Sequence, residues 1–79
     1  MSGAAGLVLS PLDARVLRAT DPFCERTVER VARAAGCSED VACSCLRRLC
    51  GRVLVEVDGC RPTGWLRTRR GDLALERAS

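Results

Sequence analysis

The order of helix, turn and strand signals between Thr27 and Arg70 leaves this chain few folds to adopt. Thr27 caps a segment in which Val28, Val31, Ala32 and Ala35 recur at the spacing of one helix face. Gly36 follows, suited to the left-handed residue that closes a helix. Ser38 opens a longer helix, with Glu39 and Asp40 in the first turn, where acids complement the helix dipole. Its inner face takes Ala42, Cys45 or Leu46, and Leu49. Val53, Val55 and Val57 then alternate with Leu54, Glu56 and Asp58, as in a half-buried strand. Asp58-Gly59 opens a turn, and Gly64-Trp65-Leu66-Arg67-Thr68 returns as a second strand.

The flanks extend this order. Ser10-Pro11-Leu12-Asp13 is a strong helix start, and Leu12, Val16, Leu17 and Ala19 make one apolar stripe, which predicts a helix over about 11–20. Asp21-Pro22 ends it, and Phe23-Cys24 is expected to tuck a small loop onto the core. Thr68 caps a last short helix through Leu73 and Leu75. The expected order is α-α-α-β-β-α, a mainly α domain with a small β-hairpin (α+β) over residues 10–77. A flexible N-terminus over 1–9 precedes it, in which Leu7 and Leu9 can pack on the domain. A chain of 79 residues holds one small core. With Phe23 and Trp65 its only aromatics, that core must be built from Leu, Val and Ala. No apolar stretch is long enough to span a membrane, and no basic segment of a signal peptide opens the chain, so a cytoplasmic protein without membrane contact is expected.

The formal charge is +3, and its placement says more than its size. Residues 1–37 carry five Arg against four acids, 38–70 carry seven against four, and the tail from 71 has one against two. The excess therefore falls in the longer helix and the hairpin. Every base is Arg and none is Lys. Arg suits bidentate contacts to phosphate and guanine, although the abundance of Ala, Gly, Val and Leu is also what a GC-rich coding sequence produces.

Thr27-Val28-Glu29-Arg30-Val31-Ala32, Ala35-Gly36-Cys37-Ser38, Ala42 with Leu46-Arg47-Arg48-Leu49, Leu54-Val55-Glu56 and Leu66-Arg67-Thr68-Arg69-Arg70-Gly71 together resemble the winged helix-turn-helix regulators of the MarR-like and related bacterial superfamily. The resemblance covers about residues 10–75. It implies a transcriptional regulator that places the helix over about 38–51 in the major groove of duplex DNA and the wing over 59–64 on the backbone. Two departures stand out. The family has Gly immediately before the Leu-Val that opens the wing, where this chain has Val53, which predicts a rearranged helix end. The long terminal helices that form the MarR dimer are missing, so the resemblance leaves a homodimer open.

By that analogy the DNA-facing residues are Ser38, Asp40, Val41, Cys43, Ser44 and Arg47 on the outward face of the helix. Arg48 and Arg52 lie nearer the phosphates, Arg61 sits at the tip of the wing, and Arg67, Arg69 and Arg70 extend the basic surface. Glu39 and Asp40 oppose DNA but also serve as plain helix capping.

Six cysteines stand at 24, 37, 43, 45, 50 and 60. There is no His and no C-x₂-C pair, so the spacing does not fit a common zinc site, and neither metal nor cofactor is expected. Cys43-Ser44-Cys45 resembles the C-x-C of ArsR-type sensors, but on the second helix of the motif rather than the first. On a helix the two point about 200° apart. Core packing is the leading role for the cysteines, with thiol or metal sensing as alternatives. Without a His, a phosphate loop or a carboxylate pair, catalysis is not expected. The functional expectation is a DNA-binding regulator; the alternatives are a winged-helix adaptor for a protein partner and a thiol- or metal-responsive regulator.

Overall fold

Every helix begins at a side chain that accepts a hydrogen bond from its own first turn. Ser10 Oγ accepts from the Asp13 N–H at 3.1 Å, Thr27 Oγ1 from Arg30 at 3.2 Å, Ser38 Oγ from Val41 at 3.2 Å and Thr68 Oγ1 from Gly71 at 3.0 Å. The caps start α1 (Pro11–Ala19), α2 (Val28–Ala35), α3 (Glu39–Gly51) and α4 (Arg69–Ala78). The computed structural model describes residues 9–57 and 64–78. Most of the expected N-terminal segment, and the turn that carries Cys60 and Arg61, lie outside the described residues. Leu9 packs against the core.

Between α3 and α4 run β1 (Val55–Val57) and β2 (Trp65–Arg67), antiparallel, with Val55 opposite Arg67, Glu56 opposite Leu66 and Val57 opposite Trp65. Among the described residues the order is α-α-α-β-β-α, mainly helical with one hairpin. Segment 21–26 adds to the outer edge of β2, a feature with no signal in the sequence. Trp65 exchanges both backbone hydrogen bonds with Arg26, at 2.8 and 3.0 Å, and Arg67 N–H donates to the Asp21 carbonyl at 3.1 Å.

Leu17, Leu46, Leu49, Val16, Val31, Val55 and Cys45 are the largest fully buried side chains. They come from three helices and a strand, so each amphipathic element contributes one face to a single core. Trp65 and Ala74 close it from the hairpin and α4. Gly71 is required where α4 passes the residue before β1: a Cβ there would collide with the Leu54 carbonyl oxygen. Among the described residues no helix is long and apolar enough to cross a membrane.

Two expectations are corrected. Phe23 and Cys24 do not tuck inward; Phe23 is 90 % exposed and Cys24 is exposed. Both ends of their loop are bonded to β2, and Asp21 Oδ1 accepts from the N–H groups of Phe23 and Cys24 at 2.7 and 3.0 Å, so the residues between are turned outward. The strand also begins later: Val55 is buried, Glu56 exposed and Val57 half-buried, as the alternation predicts, but Val53 and Leu54 lie outside it. Val53 is exposed and Leu54 buried, because Val53 is the residue that stops α3.

The expected rearrangement at the end of α3 is not seen: the helix closes in regular form with Val53, rather than glycine, in the left-handed position. At the end of α2, Cys37 N–H donates to the Ala32 carbonyl and Gly36 N–H to the Arg33 carbonyl, with Gly36 at φ 75°. At the end of α3, Leu54 N–H donates to Leu49 and Val53 N–H to Cys50, both at 2.9 Å, with Val53 at φ 61°. The two ends share one Schellman-type closure. One uses a residue free to adopt left-handed backbone; the other forces a β-branched residue into it.

Candidate nucleic-acid interface

Along α3 the residues fall into two stripes set by the helical repeat. Ala42, Cys45, Leu46 and Leu49 are buried. Asp40, Val41, Ser44, Arg47 and Arg48 are exposed, as is the capping Ser38. Cys43 is half-buried at the margin between the stripes, and Arg52 is half-buried at the helix end. The exposed face is divided in charge, with Glu39 and Asp40 in its first turn and Arg47 and Arg48 in its second half.

Arg48 is held by the rest of the fold. Its Nη2 lies 2.9 Å from Asp13 Oδ1 on α1 and 3.3 Å from Cys45 Sγ. Burial pushes the Asp13 carboxyl up, but hydrogen bonds from Arg48, Cys45 and Ser10 outweigh it and hold the group below the ordinary carboxylate range. Burial, reinforced by Asp13, pushes the Cys45 thiol up, so it stays protonated and unreactive. The Arg48 side chain still presents more than half its surface to solvent.

The junction of α3 with α4 concentrates cations. Thr68 Oγ1 donates to the Val53 carbonyl at 2.7 Å, and Thr68 N–H donates to the Leu54 carbonyl at 3.1 Å. Arg52 and Arg69 stand one residue to either side of the Val53–Thr68 bond, with Arg70 next in line. Arg69 and Arg70 are exposed in the first turn of α4, where the helix dipole is already positive. That placement opposes stability, and among the described residues no ion pair relieves it for Arg69 or Arg70; Arg47 on α3 is likewise outside the described ion pairs. Arg70 also faces an open cleft along α4 with Leu73, Ala74 and Arg77.

Arg67 does not belong to this surface. Its side chain is 15 % exposed, its Nε lies 2.8 Å from Asp72 Oδ1 without hydrogen-bond alignment, and its Nη1 donates to the Leu17 carbonyl at 3.3 Å. It joins β2 to α1 and α4, so the expectation of an outward contact is corrected. Arg15 is structural too, donating to the Ala35 carbonyl at 2.7 and 3.1 Å and capping the negative end of α2. Neither role has a signal in the sequence, because each depends on a carbonyl far along the chain. Arg61 lies outside the described residues.

The described cysteines differ in burial. Cys45 is buried, Cys37, Cys43 and Cys50 are half-buried, and Cys24 is exposed. Among the described residues no three of His, Cys, Asp or Glu come together as a metal site. In comparisons with known proteins, no family model matches the chain and no curated sequence is significantly similar to it.

Proposed function

We propose that this chain is a winged helix-turn-helix domain that binds duplex DNA, with α3 in the major groove and the hairpin over the adjacent backbone. The observation that carries the reading is the cluster of Arg52, Arg69 and Arg70 gathered across the Val53–Thr68 bond, with Arg47 exposed on the second half of α3. Two of those arginines sit at a helix end whose dipole disfavours them, an arrangement that a phosphate would relieve. In this placement Arg47 reads a base edge, Ser44 bonds a base or phosphate, and Arg48, Arg52, Arg69 and Arg70 contact the backbone. Transcriptional regulation is the function such a domain serves.

Fluorescence anisotropy against a degenerate duplex pool at several salt concentrations tests the reading. Binding that weakens steeply with salt supports it. A second reading rests on the other half of α3: Asp40, Val41 and Ser44 face Leu12 and Arg48 around an open cleft of about 290 Å³, and Val41 is 38 % exposed. That surface suits a protein partner, and salt-independent silence toward DNA would favour it.

A further inference from the structure

Among the large apolar side chains that the described residues leave exposed (Phe23, Val41, Val53 and Leu73), two belong to features that complement each other. The first is Phe23, 90 % exposed although it is one of only two aromatic residues in the chain. Its loop has a set shape, because Asp21 Oδ1 accepts from the N–H groups of Phe23 and Cys24 and both ends are bonded to β2. The side chain is therefore presented at little entropic cost, as an interface anchor is. Glu25, two residues on, is exposed, with its side chain along Gly64, while Asp21 is paired with Arg26 at 3.7 Å.

The second feature is the cleft on α4. Arg70, Leu73, Ala74 and Arg77 line an open, mainly apolar hollow of about 300 Å³, and Leu73 is 51 % exposed. The two arginines lie one turn to either side of Leu73. Asp72 is turned away onto Arg67 at 2.8 Å, and no acid contributes to the described lining. An apolar floor with a cationic rim thus matches an aromatic anchor followed by the exposed carboxylate of Glu25.

We infer that these are the two halves of one contact: Phe23 of one copy of the chain seats on the Leu73–Ala74 cleft of a second copy, with Glu25 facing the Arg70 and Arg77 rim. Because the two surfaces differ, the contact is heterologous, and copies join head to tail rather than as an isologous pair. This contact does not rest on the DNA reading, but it competes with it for Arg70.

Sedimentation velocity of the full chain, under reducing conditions and over a concentration series, tests it. The wild type should associate as concentration rises. Phe23→Asp and Leu73→Asp should each weaken association about tenfold or more, the effect of losing a hot-spot residue. Mixed in equal amounts, the two variants should form a one-to-one dimer, since one keeps the cleft and the other keeps the aromatic. Far-UV circular dichroism and Trp65 fluorescence confirm folding, and Phe23→Ser serves if the aspartate variant fails to fold. A wild type that stays monomeric throughout, an assembly that survives either substitution, or a mixture that stays monomeric would each overturn the inference.

Discussion

Val53 holds a left-handed backbone at φ 61° that its branched side chain disfavours by about 1–2 kcal/mol. Its side chain is exposed and supports nothing in the core. Val53→Gly should therefore stabilise the fold, with the extra entropy of the unfolded glycine removing about 0.5–1 kcal/mol of the gain. The net effect is a rise in Tm of a few degrees, at about 4–8 °C per kcal/mol for a domain of this size. Gly36→Ala should do the reverse by about 1 kcal/mol. A Cβ there meets only the Arg15 guanidinium at 3.6 Å, so its cost is conformational rather than steric. Thermal melts of both variants check the pair, and a Val53→Gly protein that melts below wild type contradicts the strain. Asp13 tests the electrostatics that tie α1 to α3. Its folded pKa lies below the unfolded value of about 3.9. Its stabilising contribution is thus complete above that value and lost as pH falls through the folded one. The stability gap between wild type and Asp13→Asn should hold near neutral pH and narrow below about pH 4; urea melts showing a constant gap down to about pH 3 would refute it.

Among the elements, Ser38 has a second task that its exposure conceals, since its Oγ caps α3. Ser38→Ala should lower stability by about 1 kcal/mol, whereas Ser38→Asp keeps the cap and should weaken DNA binding by adding negative charge beside the duplex. Melting and anisotropy on both variants separate the roles; unchanged affinity in Ser38→Asp would remove Ser38 from the interface. The same local character made the helices legible. Ser10, Thr27, Ser38, Thr68 and Gly36 act on their own turns, so sequence position alone announces them. Phe23 and Arg67 were not legible because remote bonds decide them, nor was Val53, because two local patterns compete for it. Hydrophobicity argues that Phe23 should be buried, but β2 holds both ends of its loop. Alternation argues that Val53 begins a strand, but the closure of α3 claims it. Nothing local distinguishes Arg67 from Arg69, and only the positions of Leu17 and Asp72 turn one inward. The candidate interface was legible as a helix face, while the meeting of α3 with the start of α4 required the fold.

For the molecule as a whole, a net charge of +3 is modest, so affinity for DNA depends on where the arginines stand rather than on how many there are. The two ends of α3 oppose each other in charge, and the proposed DNA contact belongs to the cationic end. Arg69→Ala should then weaken binding to all sequences and reduce the salt slope by about one, because it removes a phosphate contact. Arg47→Ala should cost about 1–3 kcal/mol on the preferred sequence and relax the preference. The most direct measurement is anisotropy of the reduced wild-type protein on a degenerate duplex pool across a salt series. The expected result is an affinity whose logarithm falls linearly with the logarithm of salt concentration; no binding at the lowest salt would contradict the DNA reading and leave α3 as a surface for a protein partner.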